Sequence, residues 1–266
     1  MSYEKYTGKF EVQTPLAHGS DEDYGMEQKF RTTEMNVDGE MMDIPTYSGN
    51  AVRGQLRDLL AEDFLDRLDI EVHDTLSHAL YSGGSLESGY GQLKRRFIDD
   101  IREYIPPLSL LGTAIESEMV ESRVNVGMMY PIAEQTEGYT GVDSDRSVFE
   151  FIDETFYTRM EDNVAGDDAD TQQMKYVVQV LAPGTELQHN VTFKGATEIE
   201  KACFSHAINL LRENPHLGGM QARGHGKVDF EYEPELPSPD PYVQFIEENK
   251  EEIREKVLEI DEDLDG

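Results

Sequence analysis

Four glycines fall within nine residues of the stretch Leu217-Gly218-Gly219-Met220-Gln221-Ala222-Arg223-Gly224-His225-Gly226-Lys227-Val228. Neither a helix interior nor an ordinary strand accommodates that density. Glycine gives up backbone entropy in return for positive φ and close backbone approach. A helical apolar pattern precedes the stretch (Ile199, Ala202, Cys203, Ala207, Leu210, Leu211), and an alternating strand pattern follows it (Val228, Phe230, Tyr232). The stretch therefore reads as a helix-to-strand loop with amides expected to be open to a ligand. Arg223, His225 and Lys227 add donors, a combination that suits phosphate. The plainer alternative is a glycine-rich turn after a helix C-cap.

With 266 residues and 38% hydrophobic content, the chain can bury a substantial core. No apolar run is long enough to span a bilayer, and Met1–Phe10 carries no signal-peptide pattern. A soluble, cytoplasmic protein with no membrane partner is expected. The single cysteine, Cys203, excludes a disulfide framework and any multi-cysteine metal site. No cofactor, metal or catalytic residue is expected. Formal charge is −32, from 23 Lys+Arg against 55 Asp+Glu. Taken at face value, that charge repels nucleic acid. Asp-rich loops, few lysines and no tryptophan also fit a halophilic chain, since molar salt screens charge within about 3 Å. On that reading the positions where cations survive carry the information.

Tyr6, Gly8, Phe10 and Val12 alternate with Lys5, Thr7, Lys9 and Glu11, predicting a half-buried strand. His18–Gly25 is polar and acidic and reads as loop. Lys29–Val37 reads as a weak strand ending at the Asp38-Gly39 turn. Val52, Leu56, Leu59, Leu60, Phe64 and Leu68 then mark the clearest helix, capped by Ser48 or Asn50. Arg53 and Arg57 share one side of its first turns, so its start reads as a phosphate site; the plainer alternative is that both pair with Asp58 or Asp63 as surface ions. Residues 70–105 read as an inserted helical lobe containing the cation run Lys94, Arg95, Arg96, stopped by Pro106-Pro107. Leu108–Ala114 is apolar, and Arg123–Met129 reads as a strand. Residues 130–173 read as a protruding, thumb-like insertion with aromatics at Phe149, Phe151, Phe156 and Tyr157 and an acidic, partly disordered tail. Met174–Leu181 and Leu187–Phe193 read as a hairpin through Pro183-Gly184. Residues 233–266 form an acidic linker and one amphipathic helix (Val243, Ile246, Ile253, Val257, Ile260), docking on its own domain or a neighbour.

Without the insertions, the order is strand, helix, strand, hairpin of two strands, helix, strand, and a βαββαβ unit accounts for most of it. The predicted class is α+β, a ferredoxin-like (RRM-like) core from residues 1–69, 106–129 and 174–232.

Four motifs in order then resemble the RAMP superfamily, the CRISPR-associated RNA binders. Ile44-Pro45-Thr46-Tyr47-Ser48-Gly49-Asn50-Ala51-Val52-Arg53-Gly54-Gln55-Leu56-Arg57 resembles its "IPGSSLKGKLR"-type motif. Leu110-Leu111-Gly112-Thr113 resembles its "LFG" motif, and Ala182-Pro183-Gly184-Thr185-Glu186-Leu187 its "PGT-x-F" turn. Gly218-Gly219 with Arg223-Gly224-His225-Gly226-Lys227-Val228 is similar to its "GG…RGYGKV" loop. The set most resembles backbone subunits that polymerise along a guide RNA in antiviral ribonucleoproteins.

The resemblance implies several partners: guide RNA, target nucleic acid through base pairing, copies of this chain, and other effector subunits. It also implies RNA contacts from Ser48, Asn50, Arg53 and Arg57, with Gly218, Gly219, Arg223, Gly224, His225, Gly226 and Lys227 opposite them in one groove. Lys94, Arg95 and Arg96 would form a second basic surface. RNA-cleaving members carry an aspartate before the first motif. Here Gln28–Thr33 holds no carboxylate, which points to a non-cleaving, type IV-like subunit. The competing reading is a RAMP endoribonuclease that processes guide precursor, with His225 or His18 as general acid/base.

Overall fold

Tyr6, Phe10 and Val12 are buried along one side of strand β1 (Tyr3–Val12), which lies inside the main sheet. The computed structural model describes residues 3–24, 27–86, 95–116, 118–159 and 174–265. Helix α1 spans Gly49–Leu68, β2 Val124–Val126, β3 Glu186–Lys194, α2 Glu198–Glu213 and β4 Val228–Glu233. The sheet runs β2-β3-β1-β4 with every neighbour antiparallel, which is the ferredoxin-like order. Phe10 lies opposite Leu187 and Phe230, and Gly8 opposite His189 and Tyr232. A Cβ at Gly8 would lie 2.6 Å from the His189 ring and 2.7 Å from the Tyr232 ring, so glycine makes room for that pair.

The α1 stripe Val52, Leu56, Leu60, Phe64 and Leu68 is buried in one core with Ala202, Cys203, Ala207 and Leu211 of α2. Phe204 of α2 packs edge-on against Phe193 of β3, with ring centroids 5.5 Å apart. Ser48 is the α1 cap, its Oγ accepting from Ala51 N at 3.0 Å. Gly49 abuts β2, since a Cβ there would meet the Val126 carbonyl at 2.3 Å.

Outside this core the structure departs from the sequence reading. Met174–Leu181 does not form a hairpin with β3. It pairs antiparallel with Ile152–Arg159, from Ile152↔Leu181 to Arg159↔Met174, and parallel with Glu27–Phe30 in a second sheet. The Pro183-Gly184 turn passes the chain between sheets, with Gly184 N donating to the Val12 carbonyl at 2.7 Å. Alternation sets which face of a strand is buried but leaves its partner open. His18–Gly25 is not all loop, because Gly19–Tyr24 is a strand paired with Glu27–Phe30. Thr32–Val37 and Glu40–Pro45 form a hairpin at Asp38-Gly39, whose φ values of 51° and 94° suit the tight turn.

The lobe contains helices Asp74–Ser82 and Arg95–Tyr104 and a three-stranded sheet of Gly84–Leu86, Thr113–Glu116 and Glu118–Val120. Pro106-Pro107 also opens a new helix, Pro106–Leu111, where proline's missing N–H costs nothing. The expected C-terminal helix is two, Asp240–Glu248 and Lys250–Asp265. They dock on their own chain, burying Tyr242, Ile246, Ile253, Val257 and Ile260. Asp261 accepts from His73 N at 3.0 Å and faces His73 Nδ1 at 2.9 Å. Among the described residues no helix is long and apolar enough to cross a membrane.

His189 is buried, with Nδ1 3.3 Å from the Gly127 carbonyl and Nε2 2.9 Å from the Tyr232 hydroxyl. A carbonyl can only accept, so Nδ1 carries the proton and Tyr232 donates to Nε2. Burial depresses the imidazole pKa to about 4. Between that value and about 6.5 the unfolded chain binds more protons than the folded one. Stability from this site is therefore present above about pH 6.5 and lost as pH falls toward 4. Unfolding free energies from urea titrations across that window should fall more steeply for the wild type than for His189→Gln, by up to about 3 kcal/mol. Parallel curves would contradict the neutral, buried imidazole.

Candidate nucleic-acid interface

Tyr47, immediately before α1, joins three segments. It is buried, and its hydroxyl accepts from Gly218 N at 2.7 Å. Its backbone N–H donates to the Met129 carbonyl at 3.1 Å, and Met129 N–H returns a bond at 2.9 Å. Its ring lies 4.4 Å from the His18 ring. Burial pushes the phenol up to about 12. His18 Nε2 accepts from Ser48 N at 3.2 Å, so this nitrogen serves the helix start and is occupied.

The loop takes the shape its glycines allow. Gly218, Gly224 and Gly226 have φ of 72°, 82° and 82°, and Met220 joins them at 63°. A Cβ at Gly218 would lie 2.1 Å from the Ala17 carbonyl, and one at Gly226 2.0 Å from the Leu217 carbonyl. Gly219 and Gly224 have open space instead. The expectation of open amides is corrected. Gly219 N donates to Ala17 O at 3.0 Å, Gly224 N to Gln221 O at 2.8 Å, Gly226 N to Pro15 O at 2.9 Å and Lys227 N to Thr14 Oγ1 at 2.9 Å. Arg223 N and His225 N donate to Met220 O. Three of these amides, of Gly219, Gly226 and Lys227, are closed by the Thr14–Ala17 segment, a partner remote in sequence, and three close within the loop itself. What the loop offers outward is side chains.

Arg223, Gln221 and Lys227 are exposed, while His225 is half-buried. The Arg223 guanidinium lies 4.3 Å from the Tyr157 ring centroid, within cation–π range. Tyr157 stacks on Tyr176 at 5.8 Å, and its hydroxyl meets Met220 Sδ at 4.0 Å. The loop is thus joined to the hairpin of Ile152–Arg159 and Met174–Leu181. Neither Arg223 nor Lys227 forms an ion pair among the described residues. Sequence reading missed Tyr47, Tyr176 and Met220. Tyr47 stood inside the quoted motif, but nothing local marked its hydroxyl as the acceptor for a residue so far along the chain.

The expected single groove divides at α1. Gln55 Nε2 donates to the His216 carbonyl, on the loop side. Arg53, two residues earlier and about 200° round the helix, turns to the lobe and donates to the Leu111 carbonyl. Arg57 follows Arg53 and is 5% exposed. It donates to the carbonyls of Ala79 at 3.2 Å, Leu111 at 3.2 Å and Gly112 at 2.8 Å. Desolvation, reinforced by the Arg53 charge, lowers its pKa to about 10. These bonds make Arg57 a staple between α1 and the lobe, in place of the exposed phosphate contact read from the sequence. Asn50 is exposed, and Ser48 Oγ is engaged in capping. Arg95 and Arg96 open their helix, whereas Lys94 lies outside the described residues. Among the described residues, no cluster of three His, Cys, Asp or Glu side chains is placed to hold a metal ion.

No family model matches the chain, and no curated protein matches its sequence. The fold is similar to that of a chain in a solved structure titled "Type IV-B CRISPR Complex". The TM-score is 0.67 at 20% identity, with 91% of this chain and 98% of that one covered. The likeness is one of fold.

Tyr47→Phe should leave Gly218 N without its acceptor and cost on the order of 1–3 kcal/mol. Gly219→Ala adds a Cβ with nothing within 4 Å and should stay within about 0.5 kcal/mol of wild type. Urea unfolding of the two variants checks the ranking, and equal stabilities would contradict the role given to Tyr47.

Proposed function

We propose that the chain is a guide-RNA-binding backbone subunit of a CRISPR effector complex, polymerising along the guide and presenting it for base pairing with target nucleic acid. The observation that carries this reading is the Arg223–Tyr157 contact, which places an unpaired cation on an aromatic ledge in a chain of charge −32. Cations beside stacked aromatics suit single-stranded nucleic acid: guanidinium groups track the backbone and ring faces take bases of any sequence. Such contacts position RNA, while sequence discrimination belongs to base pairing. The fold likeness and the four RAMP-like motifs support the same reading. The stretch Gln28–Thr33, which holds no carboxylate, favours a type IV-like, non-cleaving subunit working with other effector subunits, and the acidic composition favours a salt-adapted source. On this account Gly219 and Gly224 allow close approach, Lys227 contributes charge, and Asn50 stands at the edge of the helix start. Lys94, Arg95 and Arg96 supply a second basic surface.

Arg223→Ala combined with Tyr157→Ala should weaken RNA binding by about tenfold or more, the scale of one lost stacking contact. Circular dichroism should stay unchanged, because Arg223 is exposed and Tyr157 packs only at the margin of the small Ala17–Val178–Val180 cluster, apart from the main core. The slope of log K against log salt should be shallow, about −2, because few phosphates are neutralised. Unchanged affinity in the double variant, or a slope of about −6 or steeper, would contradict the face assigned here.

A further inference from the structure

Strand β4 is bonded on one side only, because the sheet order β2-β3-β1-β4 places it at an edge. Bonding direction alternates along an antiparallel strand. The Lys227 carbonyl accepts from Gln13 N on the β1 side, and Val228 N turns the other way, to the Pro215 carbonyl at 2.8 Å. By the same alternation Asp229, Glu231 and Glu233 bond toward β1, while Phe230 and Tyr232 present their backbone groups outward. Beyond Val228 that outward edge is open. Phe230 N meets only the carboxylate of its neighbour Asp229, at 3.0 Å, and Tyr232 N has no acceptor among the described residues. The opposite edge, β2, differs, since the α1 start lies against it at Gly49. Two hollows flank the open edge. One, of about 300 Å³, is lined by Lys9, Glu11, Glu186, Asp229 and Glu231, on the face of the sheet away from the helices. Lys9 faces Glu233 at 3.8 Å, and the four carboxylates of this lining form no ion pair among the described residues. The other, of about 500 Å³, lies on the helix side, lined by Tyr232, by Leu236, Pro237 and Pro239 of the linker, and by Asn209 and Arg212 of α2.

We propose that this edge accepts an extended segment of a partner protein as an added strand, and that the segment alternates basic with apolar residues. An open strand edge is a template for pairing: main-chain hydrogen bonds supply affinity, and pockets for alternate side chains supply specificity. The added strand bonds to Phe230 and Tyr232, its carbonyl replacing the Asp229 carboxylate on Phe230 N. Its successive side chains point to opposite faces. Those toward Asp229 and Glu231 meet carboxylates with no cation, which select Lys or Arg. Those toward the linker meet Tyr232, Leu236 and two prolines, beside an arginine that opposes a further cation, and this side selects apolar groups. The same carboxylates exclude this edge of a second copy, since pairing would set like charges opposite one another. They also repel nucleic acid, so the surface is separate from the Arg223–Tyr157 face, and the inference holds whether or not that face binds RNA.

The test titrates the full chain with an end-blocked peptide of alternating lysine and valine, with two forms of it N-methylated at every lysine or at every valine, and with the glutamate–valine counterpart. N-methylation keeps charge and composition but removes the donors of one strand edge. The parent peptide should bind saturably, and the glutamate form should not. At least one N-methylated form should bind about tenfold more weakly, the scale of one or two lost hydrogen bonds. In the saturated complex the Phe230 and Tyr232 amides should exchange hydrogen about tenfold more slowly or better, since pairing closes them. Glu11→Gln combined with Glu231→Gln should weaken the lysine peptide about fivefold, the scale of two exposed ion pairs, and should leave melting unchanged because both side chains are exposed. Plain attraction of a cationic peptide to an acidic protein gives neither the N-methyl effect nor the amide protection. Absence of saturable binding by the parent peptide would overturn the proposal. So would equal affinity of the parent and both N-methylated forms, or unchanged exchange at Phe230 and Tyr232.

Discussion

The hydrogen bond from Gly218 N to the buried Tyr47 hydroxyl holds together the region on which any function of this chain rests. Tyr47 is also bridged to Met129 through its backbone and packed on His18, whose Nε2 receives the first amide of the helix start. One aromatic residue thereby fixes the glycine loop, the α1 cap and the chain entering the second sheet. Because this junction lies in low dielectric, its hydrogen bond is strong and its loss leaves an unpaired amide. The loop's form is set by these bonds and by the Thr14–Ala17 segment. Its glycines serve approach and turning, and recognition falls to the side chains it projects.

Charge is distributed by the same physics. In a chain with more than twice as many carboxylates as cations, a surface arginine normally meets a carboxylate. Arg67 does so, on Asp63 at 2.7 Å. Arg223 lies on Tyr157 instead, and Arg53 and Arg57 lie on carbonyls. These three departures mark two separate faces of α1, one toward the hairpin and one toward the lobe. Carbonyls satisfy guanidinium geometry without cancelling its charge.

Local periodicity made the four core strands and two core helices legible, since the Phe10 strand, the Phe64 helix and the Cys203 helix each bury the face their spacing marks. The glycine loop was legible as a loop, with positive φ at Gly224 and Gly226. The closure of the Gly219, Gly226 and Lys227 amides was not, because their acceptors at Ala17, Pro15 and Thr14 lie some two hundred residues earlier. Long-range pairing hid the second sheet in the same way. Met174–Leu181 alternates like a core strand, and only its partners Ile152–Arg159 and Glu27–Phe30 assign it elsewhere. Arg53 and Arg57 were grouped correctly by helical spacing. Their burial depended on how the lobe folds back over α1, which no local pattern encodes.

The central claim is that this chain assembles on RNA. Purification in concentrated salt, followed by sizing and extraction of bound nucleic acid, tests it most directly. The account predicts a multimer carrying RNA of discrete, uniform length. A nucleic-acid-free monomer would contradict it.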